Sequence, residues 1–471
     1  MAQAAAIELT ELPNPRFDEL TEGSAAPSCD DAVATNGSGD SPVNGLSEGE
    51  SERQISSLPP VDGGKDAWLF LAACFAVEAL VWGFPFSFGV FQEYYSTHEP
   101  FAGQPNIAVV GTCAMGIMYL TAPLILGTAR MFGRWTRWMP MFGLFFMCLA
   151  LALSSFSQTV PHLIVTQGIF YAIGGGIAYC PCILYMDEWF VNRKGLAYGI
   201  MWSGTGLAGV VLPLMMESLL ASIGFRSTLR LWSGLLFLLT APLSVFIKPR
   251  LPVSSTVHAK PFNLRFMLMP SFVMYQAANI IEATGFFLPG IYLPMYARSA
   301  FGAQSYASAT TVLLINVASV FGCVAMGWFT DRFHVTTCIL LSTIGATLGI
   351  FLLWGLSASL PMLYAFCVVY GLFAGSFTSC WPGIMKDVLV SSDRERHGIV
   401  DPSMVFGWLA AGRGIGNIVS GPLSESLARG LPWQGQAGFG YGSGYGSLIV
   451  FTGVTALLGG GSWVWKRLGL L

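Results

Sequence analysis

Charged residues are scarce in this chain. Asp, Glu, Lys and Arg make up 10% of its 471 residues, whereas 54% of the residues are hydrophobic. A soluble domain carries roughly a quarter charged residues, so the composition excludes an ordinary soluble fold. The formal net charge is only −3, which argues against nucleic acid as a partner.

Patterns for metal, redox and nucleotide chemistry are also missing. The ten cysteines and five histidines show no metal-ligand or redox spacing, and the chain has no Walker motif for ATP. A G-x-G-x-x-G pattern at 204–209 lies inside an apolar run with no strand before it, so we interpret it as helix packing. The sequence therefore predicts no cofactor, no metal, no ATP and no enzymatic activity.

Long apolar runs, in contrast, are abundant. About twelve of them are long enough to cross a bilayer, which takes roughly 20 residues of helix. Inside lipid a helix satisfies its own backbone hydrogen bonds, so the sequence predicts an all-α membrane protein with twelve transmembrane helices. The predicted spans are 68–91, 106–129, 138–157, 161–186, 195–220, 230–247, 266–297, 306–329, 336–356, 361–385, 402–428 and 446–465.

The connection at 248–265 is the longest inner one and contains Pro252 and Pro261. It divides the spans into two halves of six helices, the arrangement of transporters built from repeated bundles. The polar, acidic segment before the first span is rich in Ser and Gly, which favours disorder. The predicted parts are a disordered cytosolic tail at 1–60, an N-terminal half at 61–247, a cytosolic linker at 248–265 and a C-terminal half at 266–471.

Lys and Arg are distributed unevenly between the two sides. If both termini face the cytosol, most of these residues fall in inner connections, and the outer connections contain only Arg226, Arg298 and Arg429. This asymmetry predicts cytosolic N and C termini in a lipid bilayer. We favour the plasma membrane, with a vacuolar or other organelle membrane as the alternative.

Two short basic turns occupy matching places in the halves. Gly327-Trp-Phe-Thr-Asp331-Arg332, after the eighth span, resembles the G-x-x-x-D-R loop of the major facilitator superfamily. The matching turn after the second span contains Arg130 and Arg134, but Ala129 stands where the acid would be. The resemblance implies the twelve-helix fold of that superfamily.

Two further motifs resemble the fungal branch of the monocarboxylate porter family. Asp62-Gly63-Gly64-Lys-Asp-Ala-Trp68 precedes the first span and is similar to its D-G-G-x-x-A-W motif. Trp189-Phe-Val-Asn-Arg193-Lys194-Gly-Leu-Ala-Tyr-Gly199 precedes the fifth and is similar to Y-F-x-K-R-R-x-L-A-x-G. The three charges tied to carboxylate transport in this family are absent here, because their positions hold Phe86, Ser319 and Cys323.

Three charges lie in the middle of spans: Glu78, Glu282 and Arg413. Charge in mid-membrane costs at least ~2.5–3.5 kcal/mol, so each needs a reason. A carboxyl group in apolar surroundings binds a proton readily, so either Glu is a candidate for a coupling proton, with Glu282 preferred. Arg413 is a candidate for neutralising an anionic substrate or for pairing with a buried Glu. Structural pairing between helices is an equally weighted alternative for all three residues.

The third, sixth, ninth and twelfth spans carry no interior charge, as expected for lipid-facing helices of the superfamily fold. Asn279, Asn316 and Asn417 lie at mid-depth, where amides more often join helices than bind ligands. Phe86 suggests an apolar cavity. We include these four residues among the candidates for substrate translocation.

The resemblance also implies a gate. Asp331 is expected near the start of the fifth helix, just after Arg193 and Lys194, where free N–H groups favour an anion. Asp401, before Pro402, is expected to cap the eleventh helix and to compensate for Ala129.

Three functions fit these features. The leading prediction is a secondary transporter of the monocarboxylate-porter type that exports a small organic metabolite, with protons as possible partner ions. The second is proton-linked uptake of a monocarboxylate or similar nutrient. The third is a transporter-like sensor without net flux, which the short tail disfavours.

Overall fold

The computed structural model describes residues 58–251, 264–394 and 400–469. Most of the predicted tail at 1–60 and most of the predicted linker at 248–265 lie outside these residues. The described residues form helices joined by turns and contain no strand. The predicted all-α fold is confirmed.

The helices of the described part make twelve passes. In chain order they are Gly64–Thr97, Ile107–Met131, Met139–Ser154, Val160–Trp189, the two arms of Lys194–Val245, Pro270–Phe286 with Leu288–Phe301, Ser305–Arg332, Val335–Trp354, Leu360–Arg394, Pro402–Ala428 and Gly446–Arg467. Most boundaries lie within a few residues of the predicted ones. The tenth pass extends furthest beyond its predicted end.

Eight described helices are long and apolar enough, taken individually, to cross a membrane. One of them, Lys194–Val245, holds both the fifth and the sixth pass. Its axis breaks at Gly224, which has φ 72° and ψ 168°, a backbone conformation that glycine adopts readily. The sequence predicted a longer connection at 221–229, but this one glycine makes the turn.

Three other passes do not meet those length and hydropathy requirements. The third pass, Met139–Ser154, has 16 residues. The seventh is broken at Phe287, and the eleventh, Pro402–Ala428, is rich in Gly and Ser. Both the seventh and the eleventh pass contribute to the cavity described below.

The first pass shows how a proline is accommodated in a membrane helix. Pro85 has no N–H, so the carbonyl group of Val81, one turn earlier, loses its usual helical partner. The hydroxyl group of Tyr171 in the fourth pass donates to the Val81 oxygen at 2.7 Å. This bond satisfies the buried carbonyl and joins the first and fourth passes.

The two halves meet mainly where the fifth pass packs on the eighth and the second on the eleventh. Gly195 and Gly327 allow the fifth and eighth passes to approach closely, since a Cβ atom on either would collide with the carbonyl oxygen of the other. The third, sixth, ninth and twelfth passes expose large apolar side chains, including Phe142, Leu238, Ile344 and Leu457. Other passes expose such side chains too, among them Leu124 of the second and Phe321 of the eighth, so the lipid-facing role of these four passes stays a prediction.

Successive passes run antiparallel, so the ends of even passes and the starts of odd passes share one end of the bundle. We call this end the basic end. Residues at or near it include Arg130, Lys194, Lys248, Asp331 and Lys466.

Candidate functional site

A cavity lies between the two halves. It offers about 140 Å³ to the centres of water-sized molecules. A cavity needs ~10–15 Å³ on this measure to hold one water, so this one has room for several waters or for a small organic molecule. Within the described ranges, its lining comes from passes one, two, four, five, seven, eight, ten and eleven.

Aromatic side chains form much of the cavity wall. Trp82 packs against Tyr119 with ring centroids 4.5 Å apart and meets the edge of Tyr179 at 6.1 Å. The indole N–H of Trp202 donates to the Tyr179 hydroxyl at 3.1 Å. The other aromatic lining residues are Phe86, Phe286, Trp381 and Phe406. Phe86 therefore lies on the cavity, as its position in the sequence suggested.

Glu78 lines this cavity and is only 4% exposed. Its Oε1 accepts a hydrogen bond from Thr205 of the fifth pass at 2.5 Å, and the Tyr179 hydroxyl lies beside the same carboxyl group. None of the ion pairs in the described part of the chain involves Glu78. The site therefore holds a carboxyl group with hydrogen-bonding neighbours but no neutralising cation.

Arg413 and Glu282 form a buried ion pair. Nη1 of Arg413 lies 3.0 Å from Oε2 of Glu282, and the two residues are 2% and 6% exposed. The Arg413 guanidinium also lies 4.1 Å from the centroid of Phe286, a cation–π contact. Arg413 is part of the cavity lining, whereas Glu282 lies behind it. In this conformation Arg413 pairs with a buried Glu, one of the two possibilities raised for it.

The three candidate asparagines differ in their surroundings. Asn279 is fully buried and donates to the Leu409 carbonyl at 2.8 Å, so it joins the seventh and eleventh passes. Asn316 lines the cavity and donates to the Gly209 carbonyl at 3.1 Å, which links the two halves. Asn417 is buried and lies beside Gly116 of the second pass, outside the cavity lining. Of the three, only Asn316 reaches the cavity.

Asp331 joins the halves at the basic end. Its carboxylate accepts hydrogen bonds from the backbone N–H of Gly195 at 2.5 Å and of Leu196 at 2.8 Å. These N–H groups belong to the first turn of the fifth pass, where an anion is favoured by the helix dipole. Asp331 thus lies where the resemblance placed it, and its gating role stays a prediction.

A second contact at the basic end joins the second and eleventh passes. Nε of Arg130 lies 2.8 Å from Oδ2 of Asp401, and Nη2 donates to the Ser403 hydroxyl at 3.0 Å. Asp401 also accepts from the Ser403 N–H at 2.9 Å, so it caps the eleventh helix as predicted. Arg130 was selected from its motif, but the sequence did not identify Asp401 as its partner.

The two monocarboxylate-porter-like motifs bind each other. Asp62 Oδ1 accepts N–H bonds from Val191, Asn192 and Arg193 at 2.9–3.0 Å, and Oδ2 accepts from the Asn192 side chain at 2.9 Å. Burial acts to raise the pKa of Asp62, but these hydrogen bonds outweigh it and lower the pKa. Asp62 thereby fixes the segment that leads into the fifth pass.

The remaining motif residues support the same region. Gly63 is extended before the first helix, and Gly64 has a φ of 82°, in the left-handed region that favours glycine. Trp68 meets the edge of the Phe190 ring at 5.9 Å. These contacts join the start of the first pass to the connection between the fourth and fifth.

The other predicted basic residues lie outside the lining of the cavity. Lys194 pairs with Asp187 at 2.7 Å. The Arg332 guanidinium lies 3.7 Å from the centroid of Trp328. Arg134 is exposed at the basic end.

Sequence reasoning missed most of the cavity wall. Trp82, Tyr119, Tyr179, Trp202 and Thr205 all approach Glu78 or its neighbours, yet none was a candidate. Aromatic and hydroxyl residues are common in membrane helices, and no motif distinguishes those that face inward. Their distance from Glu78 along the chain hides the relationship, whereas helix packing brings them together.

Comparison with known proteins identifies the family. The sequence profile of the Major Facilitator Superfamily matches residues 70–400. The chain belongs to this superfamily. It is therefore a secondary transporter rather than an enzyme, and the family carries small organic solutes across membranes.

Similar superfamily members include fungal transporters. The chain is 24% identical over 409 residues to the MFS transporter asaE of Aspergillus flavus, which covers 86% of this chain and 87% of that protein. It is 25% identical over 324 residues to the Fujikurins efflux protein of Gibberella fujikuroi, with coverage of 68% and 69%. The crystal structure of human MFSD10 (TETRAN), an organic anion transporter, has a TM-score of 0.59 at 14% identity, covering 86% of this chain and 98% of that one. That last likeness concerns the fold alone.

Proposed function

We propose that this protein exports a small organic metabolite in exchange for protons. The observation that carries this proposal is the aromatic cavity between the halves. In the described structure the buried carboxyl group of Glu78 lines this cavity and forms no ion pair. The fungal relatives, one of which is named an efflux protein, favour export of a secondary metabolite. Transport proceeds by alternating access, in which the halves expose the cavity first to one side and then to the other.

Glu78 is the proposed proton carrier. Glu282 was the preferred candidate from the sequence, but its negative charge is balanced by Arg413 at 3.0 Å. Glu78 lines the cavity and has no such partner in the described structure, so a proton is the simplest way to neutralise it. Glu282 and Arg413 then maintain the contact between the seventh and eleventh passes.

The basic end is the proposed cytosolic gate. The excess of Lys and Arg there favours a cytosolic location for this end and for both termini. The Asp331 and Arg130–Asp401 contacts hold the halves together at the basic end, so release to the cytosol requires that they break. The two halves that are proposed to move relative to each other are residues 61–247 and 266–471, and the linker at 248–265 joins them. The proposed location is the plasma membrane.

We also propose that the protein shares ancestry with the monocarboxylate porter family, because two of its motifs resemble those of that family. This proposal concerns ancestry and not cargo. The motif residues at the basic end interact with one another, whereas the cavity position of a family lysine holds Phe86. An apolar ring there favours a bulkier and less acidic solute than lactate. Proton-linked uptake of a monocarboxylate remains the alternative function.

Deletion of the gene in its host tests the proposal. We expect at least one small molecule to disappear from the medium and to accumulate inside the cells, and the wild-type gene to restore its export. Slower depletion of a carboxylate from the medium, with no retained product, would instead support uptake.

A further inference from the structure

We infer that Glu78 and the aromatic rings around it form a binding site for an organic cation, so that the exported solute carries a positively charged nitrogen next to an aromatic ring. This inference rests on the proposed export function and names its substrate class. It starts from the charges that line the cavity.

The lining contains two charged side chains, Glu78 and Arg413. The positive charge of Arg413 is offset by Glu282 at 3.0 Å. An ionised Glu78 therefore leaves the described part of the site with an excess negative charge. A buried charge of this kind must be neutralised by a proton or by a positively charged ligand.

The cavity that Glu78 lines also presents aromatic groups that can bind an organic cation. Trp82, Tyr119, Tyr179 and Trp202 present aromatic rings on the same cavity, and aromatic faces attract ammonium and related cations. The ring centroids of Trp82 and Tyr119 are 4.5 Å apart, so these two rings pack on each other and form one continuous part of the wall. The site thus combines a carboxylate with several ring surfaces.

Three buried polar atoms of the described lining residues lack hydrogen-bond partners within the protein. They are Oε2 of Glu78 and the indole Nε1 atoms of Trp82 and Trp381. A buried polar atom without a partner is costly, so these atoms are available to a ligand or to water in the cavity. A cationic N–H or a quaternary nitrogen suits the carboxyl oxygen, and a hydroxyl or carbonyl oxygen suits either indole N–H.

Among the residues that the structure describes, no other unpaired charged side chain lines the cavity with Glu78. Several titratable groups interact electrostatically with Glu78: Cys74 on the same pass, Tyr119 on the second, Tyr179 on the fourth and Cys323 on the eighth. These groups in turn interact with Cys182 on the fourth pass, Glu282 on the seventh and Arg413 on the eleventh. The only cation in this set is already paired. A proton and the solute therefore compete for one carboxylate, which is a direct route to exchange.

A permanent cation and its neutral isostere test this inference. N-methyl-4-phenylpyridinium is flat, aromatic and unable to lose a proton, whereas 4-methylbiphenyl has nearly the same shape without the charge. Binding of the radiolabelled cation is measured on the full-length protein in lipid nanodiscs. We compare the wild type with Glu78→Gln and with Glu217→Gln, a matched change at an exposed glutamate of the fifth pass.

We expect saturable binding of the cation by the wild type and by Glu217→Gln, and binding weaker by about tenfold or more in Glu78→Gln. Wild-type binding should weaken as the pH falls, because a proton occupies Glu78, and the pH dependence should vanish in Glu78→Gln. 4-Methylbiphenyl should compete poorly and equally in all three proteins. A Glu78→Asp variant, which keeps the charge, should retain more binding than Glu78→Gln.

The inference is overturned if the wild type shows no saturable binding, if Glu78→Gln binds the cation as well as the wild type, or if the neutral isostere competes as strongly as the cation. None of these results touches the export proposal, which depends on the gene-deletion experiment. A retained neutral metabolite together with absent cation binding would leave export standing and remove only the substrate class.

Discussion

Arg413 lies 3.0 Å from Glu282 across the eleventh and seventh passes, so the one cation among the described residues of the cavity wall is already paired. Glu78, on the first pass of the other half, has hydroxyl neighbours and no cation among the described residues. The two buried carboxyl groups are thus placed for different tasks. Glu282 is suited to holding helices together, and Glu78 is suited to exchanging a proton or a solute.

The Arg413–Glu282 pair should behave as a structural unit. Removing one partner of a buried ion pair costs about 3–5 kcal/mol, because the other charge is left unpaired, whereas replacing both is often close to neutral. We expect Arg413→Ala to lower the thermal unfolding midpoint of the solubilised protein strongly. Arg413→Ala combined with Glu282→Gln should recover most of the stability and the expression level.

Arg134→Ala, at an exposed position of the basic end, is the control and should change little. If the double variant is as unstable as Arg413→Ala, the lost stability comes from another contact of Arg413, such as its packing on Phe286.

Asp331→Asn should make the cavity more accessible from the basic end. A hydrogen bond to a charged group contributes about 1.5–3 kcal/mol, so the loss of charge is expected to raise access from this end by about tenfold. Cys180 and Cys323 line the cavity and serve as native reporters. We expect a membrane-impermeant maleimide applied to the basic end to label both more rapidly in the variant, measured by peptide mass spectrometry.

Asp393→Asn removes an exposed carboxylate of the tenth pass and is the matched control. Unchanged labelling of Cys180 and Cys323 in Asp331→Asn would show that this contact does not close the cavity.

The helices, and the positions of two acidic residues at the basic end, could be predicted from the sequence. Mean apolarity over about 20 residues decides whether a segment enters the bilayer, so the passes follow from composition. Asp331 and Asp401 were also placed correctly, because helix starts attract anions and Asp before Pro is a local capping signal. Both arguments depend on residues that are close in the chain.

Contacts between distant residues could not be predicted in this way. The partner of Arg130 lies 271 positions further along the chain, and Asp62 binds residues about 130 positions away. Gly224 could not be distinguished from the many other glycines until its φ of 72° was known. The choice between Glu78 and Glu282 likewise depends on which of them Arg413 contacts, which is a property of the packed helices.

Substitution of Asp401 should affect stability and access to the cavity more than substitution of Arg130. Arg130→Ala removes the ion pair and the hydrogen bond to the Ser403 hydroxyl. Asp401→Ala removes the pair and also the helix cap, which contributes about 0.5–2 kcal/mol. We expect Asp401→Ala to lower the thermal unfolding midpoint more and to increase access from the basic end more. Equal effects on both measurements would show that the cap contributes no more than the bond between Arg130 and Ser403.

Asp62 should give a pH-dependent contribution to stability. Burial opposes the shift, but the hydrogen bonds from Asn192, Arg193 and Val191 lower the pKa of Asp62 in the folded protein. A lowered pKa means that the contribution is fully present above the usual Asp value of about 3.9 and is lost as the pH falls through the folded value. The difference in unfolding midpoint between wild type and Asp62→Asn should therefore be constant near neutral pH and shrink in acid.

Asp66→Asn is the control for this measurement, since the Asp66 side chain is exposed and its nearest cation, Lys248, is 3.7 Å away. A difference between wild type and Asp62→Asn that persists unchanged at about pH 3 would assign the effect to something other than the ionised carboxylate.

Transport into inside-out vesicles tests the central proposal most directly. Vesicles from cells that express the protein are acidified inside, and uptake of the compound identified by gene deletion is followed over time. Exchange for protons at Glu78 predicts uptake that requires the protein, stops when a protonophore collapses the gradient, and is lost in Glu78→Gln but kept in Glu217→Gln. Uptake that is equal in vesicles without the protein, or that survives both the protonophore and Glu78→Gln, would contradict the proposal.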